Sequence, residues 1–116
     1  MDKEELKKRT KKFALDTIKL IEDFPKTKTG DVIGRQLLRS ATSVGANYRA
    51  ACRARSQADF ISKLGIVEEE SDESLFWLEL TTEAGLISKD KTSALMSEAD
   101  ELTAIFTASR KTAKGI

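Results

Sequence analysis

Residues 39–56, RSATSVGANYRAACRARS, contain four arginines and no acid, in a chain whose 20 basic and 19 acidic residues nearly cancel. A guanidinium group presents its donors as a planar fork that fits phosphate oxygens, so this stretch could contact a nucleic-acid backbone. Arginines near the end of a helix can also complement its dipole. The net charge of +1 excludes the blanket positive charge of a histone-like protein. Any nucleic-acid surface must therefore be local.

A second stretch, EEESDE at residues 68–73, could hold a metal ion. Glu69, Glu70 and Glu73 match the EExxE motif of all-α nucleotide pyrophosphohydrolases, in which carboxylates gather Mg²⁺. Those enzymes use a second acidic pair on the next helix, and Glu98 and Glu101 supply ExxE where ExxD is usual. Such a short motif also occurs in many unrelated helices. An enzyme of this kind is one alternative. In our main interpretation the protein has no catalytic residue, metal or cofactor.

Four helices must position these residues. The first carries an apolar stripe with steps of three and four residues and ends at Phe24, before the single proline, Pro25. The second is predicted from Asp31 to Arg53, and the third over residues 57–84 after the capping residue Ser56. The fourth follows Gly85. The stripe of the first helix consists of Leu6, Thr10, Phe13, Thr17, Leu20 and Phe24.

No segment shows the alternation of a strand, so the fold class is all-α. Short connections force neighbouring helices to run antiparallel, which predicts an up-down-up-down antiparallel four-helix bundle. A length of 116 residues suits one domain over residues 1–116. Ser88 or Asp90 is expected to cap the last helix.

This topology gathers the start of helix 1, the end of helix 2, the start of helix 3 and the end of helix 4, a region we call the basic pole. It holds thirteen basic and four acidic residues, and the rest of the chain carries a net charge of −8. The candidate residues for binding nucleic acid or a protein partner are Lys8, Arg9, Lys12, Arg49, Arg53, Arg55, Lys63, Arg110 and Lys111.

Arg35 and Arg39 lie farther from the pole and should meet acids of helix 3 when the two helices fold back on each other. The expected partners are Glu68, Glu69, Asp72, Glu73 or Glu79. Polar side chains at a helix interface must be hydrogen-bonded, so Gln36, Ser43 and Asn47 more readily fix register or subunit packing than bind substrate. The predicted structural polar network consists of Gln36, Arg39, Ser43, Asn47, Glu69, Asp72 and Glu73.

The segment from residue 35 to residue 87 resembles the bacterial four-helix-bundle proteins first noticed as open reading frames in intervening sequences of 23S ribosomal RNA genes. The resemblance runs from about Phe13 to Ile87. Many members carry an acid three residues after the asparagine, where this chain has Ala50. The resemblance implies a homopentamer and no established biochemical activity. The matching positions are Gln36, Arg39, Ser43 and Asn47 on helix 2, and Glu69, Glu70, Asp72, Glu73 and Trp77 on helix 3.

A related branch, the accessory variability determinant of diversity-generating retroelements, is a basic pentameric bundle that works with reverse transcriptase and RNA. The resemblance therefore favours a non-enzymatic oligomer that binds or scaffolds RNA, or a nucleic-acid-handling protein, through the basic pole. A protein–protein assembly module without nucleic-acid binding is the alternative. The chain has no apolar run long enough for a membrane span, no secretory signal pattern and a single cysteine, Cys52. These features lead us to expect a cytoplasmic protein without membrane partners.

Overall fold

The computed structural model describes residues 1–115 and has four helices, α1 (Lys3–Ile21), α2 (Lys28–Cys52), α3 (Gln57–Glu83) and α4 (Lys89–Lys114). No strand occurs in this range, and the predicted all-α class is confirmed. Two predicted boundaries were wrong by three residues. α1 ends before Phe24, whose ring turns inward after the helix and is 6% exposed. α2 begins before Asp31, because the side chain of Thr27 already caps it.

Side-chain caps and glycine set several of the remaining helix ends, whereas Ser88, the N-cap of α4, makes no side-chain capping hydrogen bond. Asp2 and Ser56 accept the backbone N–H of Glu5 and Asp59, at 2.8 and 3.1 Å, and so satisfy donors that the first turn of a helix leaves free. Gly85 has a φ of 73°, the left-handed conformation that glycine adopts most easily. After it, the N–H of Leu86 returns to a carbonyl of α3, which stops that helix as predicted.

The helices pack in a square. α1 contacts α2, α2 contacts α3, α3 contacts α4, and α4 returns to α1, whereas the backbones of the diagonal pairs stay apart within residues 1–115. Long side chains bridge the diagonals, as where the rings of Tyr48 and Phe106 lie 5.2 Å apart. The molecule is a rod of 44 × 20 × 20 Å. This is the predicted up-down-up-down bundle, and its topology brings the start of α1 and the end of α4 to the same end of the rod.

The core alternates large apolar side chains with small hydroxyls. Phe13, Leu37, Leu78 and Phe106 are at most 1% exposed. Buried serines and threonines lie between them, and most donate to a carbonyl three or four residues earlier in their own helix, so these hydroxyls cost little to bury. No buried side-chain polar atom in the described residues lacks a partner. The buried serines and threonines are Thr10, Thr17, Ser40, Ser71, Ser74, Thr81 and Thr92.

Candidate functional site

The basic pole is present at one end of the rod. The start of α3 and the end of α4 are joined there by Gln57, which donates its side-chain amide to the carbonyl of Ala113 at 3.1 Å. The ammonium group of Lys3 lies 5.3 Å from the centre of the Phe60 ring, a cation–π distance that links the starts of α1 and α3. Charges from all four helices therefore lie around one surface.

Arg9 is not available on that surface. Its Nε and Nη2 donate to the two carboxylate oxygens of Glu98 at 2.7 and 2.8 Å, and Nη2 also lies 2.8 Å from Glu101. The arginine side chain is 20% exposed. The hydrogen bonds that Arg9 donates to Glu98 and Glu101 raise its pKa above the ordinary value. Arg9 therefore ties α1 to α4, and its charge is neutralised within the chain.

Arg110 makes a similar link between α4 and α3. Its Nε donates to Glu68 at 2.6 Å, and the Thr107 hydroxyl donates to the same carboxylate at 2.7 Å. The bond from Arg110 is the main cause that lowers the pKa of Glu68 and raises the pKa of Arg110. Arg110 is thus a structural cation. We use the term open cation for a basic side chain that is exposed and pairs with no carboxylate of residues 1–115, and Arg110 is not one.

Lys12 and Lys63 are paired along their own helices. Lys12 donates to Asp16 and Lys63 to Asp59, both at 2.6 Å and both four residues apart. These bonds raise the pKa of Lys12 and lower the pKa of Asp59. Because both pairs lie at the surface, they can exchange partners more easily than the pairs made by Arg9 and Arg110.

The other five candidate residues are exposed and form no salt bridge with any carboxylate of residues 1–115. They come from the early turns of α1, the last turn and C-cap of α2, the α2–α3 connection and the end of α4. Lys11 was not among the predicted candidates, but it is also exposed and unpaired. The sequence signal that could have identified it was its position one helical turn after Lys7. The five are Lys8, Arg49, Arg53, Arg55 and Lys111.

The predicted polar network divides into two parts. Arg39 donates to Gln36 at 3.3 Å and to Glu70 at 2.9 Å, and it also pairs with Glu73. Farther along α2, Asn47 donates its side-chain amide to the backbone carbonyl and hydroxyl of Ser43, at 2.9 and 2.8 Å. The first group joins α2 to α3 and the second lies within α2, and the two share no hydrogen bond.

Glu69 and Asp72 are not joined to Arg39 by the structure. Successive side chains on a helix differ in direction by about 100°. When Glu70 and Glu73 face α2, Glu69 therefore points outward and Asp72 points toward α4. Both acids line a groove that also contains Glu68 and Arg110. Of the five acids expected as partners, only Glu73 pairs with Arg39, and its other partner, Glu70, was not among them. Arg35 forms no salt bridge with a carboxylate of residues 1–115.

Two of the three carboxylates of the EExxE motif serve as ion-pair partners. Glu70 and Glu73 face Arg39, and the second acidic pair, Glu98 and Glu101, is held by Arg9 on the other side of the bundle. No group of three acidic, histidine or cysteine side chains in residues 1–115 has the arrangement of a metal site. The pyrophosphohydrolase alternative requires the acids of EExxE and the second acidic pair to lie together, and the structure does not bring them together.

These features define an all-α four-helix bundle whose candidate site is a set of open cations at one pole. The chain belongs to the 23S rRNA-intervening sequence protein family, whose model matches residues 2–108. A solved structure from Bacteroides thetaiotaomicron VPI-5482, described as a protein of unknown function from the S23 ribosomal protein family, is 32% identical with a TM-score of 0.85. The match covers 91% of this chain and 98% of that one. A search of curated proteins finds no match.

The hydropathy of the helices adds one finding. Within the described residues, no helix combines the length and the apolar character that crossing a bilayer requires.

Proposed function

We propose that the protein binds RNA through the phosphate backbone, using the open cations of the basic pole. The observation that carries this proposal is the sorting of the pole's charges: Arg9 and Arg110 are held by acids of the same chain, whereas Arg49, Arg53 and Arg55 are exposed and unpaired. Cations without internal partners can displace counterions from phosphates. A near-neutral chain can therefore bind a polyanion at one end.

We further propose that the chain assembles as a homopentamer and acts as a non-enzymatic scaffold for RNA or for a protein that handles RNA. Five poles around one axis would bind a single RNA with greater avidity than one pole. Self-association would also cover apolar side chains that lie exposed on the outer faces of α1, α2 and α3. They are Leu15, Ile18, Val32, Leu38, Ile66 and Phe76, each at least 37% exposed.

The same apolar side chains favour a second function, a protein–protein assembly module that binds no nucleic acid. The two functions differ in what the pole does. If the pole binds RNA, loss of its open cations lowers RNA affinity and leaves assembly intact. If the pole only docks a protein, RNA affinity is absent from the beginning.

A charge-matched pair of variants tests the proposal. The first variant carries Arg49→Gln, Arg53→Gln and Arg55→Gln at the pole. The control carries Lys19→Gln, Lys26→Gln and Lys28→Gln, which removes three exposed, unpaired lysines from the opposite end. Both have the same net charge. We expect the first variant alone to lose most of its affinity for a fluorescent single-stranded RNA, and equal affinities would contradict the proposal.

A further inference from the structure

One groove of the bundle differs from the others in its charge. It lies between α1 and α2 near the basic pole, has a volume of about 340 Å³, and is lined by three basic side chains and no acid. Its floor is made of small residues, so nothing long fills it. The lining residues are Lys7, Lys11 and Ala14 from α1, and Thr42, Gly45, Ala46 and Arg49 from α2.

Three other grooves carry acids beside their bases. The largest, about 580 Å³ between α1 and α4, sets Asp16, Asp23 and Glu98 among three lysines. The groove of about 530 Å³ between α3 and α4 has three acids and one arginine. The groove of about 260 Å³ at the α1–α2 connection includes Asp31. Of these four grooves, only the one near Arg49 is purely cationic.

Close packing of α1 and α2 forms the cationic groove. A Cβ atom at Gly45 would lie 3.4 Å from the carbonyl oxygen of Thr10, so the two backbones nearly touch. Because the helices approach closely and Ala14 and Ala46 are short, the groove stays open between the flanking cations. Lys11 and Arg49 are exposed and form no salt bridge in residues 1–115.

The cations continue toward the pole. Lys7 lies one turn before Lys11, and Arg53 lies one turn after Arg49, on helices that run in opposite directions. Lys7 is paired with Glu4 at 3.1 Å, but the glutamate side chain is 76% exposed, so an incoming phosphate can replace it. The groove and the pole thus form one continuous cationic track.

From this geometry we infer that the α1–α2 groove seats the phosphodiester backbone of RNA, an inference that rests on the proposed function and locates its deepest contact. Lys11 and Arg49 bind the phosphates from either side of the groove, above the floor at Gly45. No aromatic side chain lines the groove, and base stacking is the usual means of gripping single-stranded bases. The contacts therefore go to phosphates, and binding is independent of base sequence.

Two double variants of equal charge test this inference. Lys11→Gln with Arg49→Gln removes the open cations of the groove, and Arg55→Gln with Lys111→Gln removes two open cations of the pole outside it. We expect the groove variant to bind single-stranded RNA at least about tenfold more weakly than the wild type at about 0.1 M salt. Its plot of log K against log salt should be shallower by about 1.4, because each lost phosphate contact on a single strand contributes about 0.7. The other variant should lose less than half as much affinity.

A second pair of variants tests the groove without removing a cation. Ala46→Glu places a carboxylate in the groove, and Ala104→Glu places one on the exposed face of α4; both alanines are exposed and helical. Only Ala46→Glu should weaken RNA binding, while circular dichroism shows both variants folded. Equal losses in either pair would overturn the groove and leave the proposed function standing. No RNA binding by the wild-type protein would overturn both.

Discussion

The guanidinium group of Arg9 binds the carboxylate of Glu98 through two parallel hydrogen bonds of 2.7 and 2.8 Å, although 89 residues separate them in the sequence. This pair closes the bundle, because it joins the first helix to the last. It also withdraws from the basic pole an arginine that the sequence counted as available. The same contact therefore contributes to stability and limits the candidate binding surface.

Replacing Arg9 should destabilise the fold. Arg9→Gln breaks a partly buried bidentate salt bridge and leaves the carboxylates of Glu98 and Glu101 next to each other. We therefore expect the free energy of unfolding to fall by about 1–2 kcal/mol. Urea denaturation followed by circular dichroism measures it. Lys12→Gln is the control, since the Lys12 side chain is 74% exposed and its pair with Asp16 should contribute nothing measurable. A loss no larger than that of the control would show that the α1–α4 pair does not stabilise the bundle.

The sequence could not separate the paired cations from the open ones. Periodicity located four helices and placed Arg9, Arg49 and Arg110 at one end, because spacing along a helix is a local property. Whether a base meets an acid depends on the relative height and rotation of two packed helices, and Arg9 and Glu98 come from the opposite ends of the chain. The assignment of Arg39 shows the same limit, since one residue of helical phase distinguishes Glu70 from Glu69.

Two glycines should respond oppositely to alanine. Gly30 lies buried in the first turn of α2, where a Cβ would collide with the carbonyl oxygen of Pro25, so Gly30→Ala should cost about 1–3 kcal/mol. Gly65 lies in α3, where an added methyl group would be 3.8 Å from its nearest neighbour, a side-chain carbon of Arg110. Gly65→Ala should therefore stabilise the protein by up to about 1 kcal/mol through helix propensity.

Thermal and urea unfolding of the two glycine variants, measured side by side, decide the outcome. Each variant adds a single methyl group inside a helix, so each controls for the other. If Gly30→Ala were as stable as the wild-type protein, the close approach between the α1–α2 connection and α2 would be wrong.

Stability should fall in acid, partly through Glu68. Arg110 and Thr107 lower the pKa of this carboxyl in the folded state, below its ordinary value of 4.5. A carboxyl with a lowered folded-state pKa stabilises the fold above its unfolded pKa, and that stabilisation is lost as the pH falls through the folded value. Between about pH 5 and pH 3, the free energy of unfolding should therefore fall less steeply in Glu68→Gln than in the wild type.

Denaturant unfolding at several pH values gives that comparison. Glu79→Gln is the matched control on the same helix, because Glu79 is exposed and forms no salt bridge within residues 1–115. It should keep the wild-type slope. Parallel curves for Glu68→Gln and the wild type would show that the link between α3 and α4 does not depend on the charge of Glu68.

The central claim is that the open cations of the basic pole bind RNA phosphates. The most direct test is the affinity of the wild-type protein for a single-stranded RNA across a salt series, with the mass of the oligomer measured in the same buffers. We expect an oligomer whose affinity falls steeply with salt, with a log–log slope of about −2 or steeper, because three or more phosphate contacts each contribute about 0.7. An intact oligomer that binds no RNA at low salt would contradict the account.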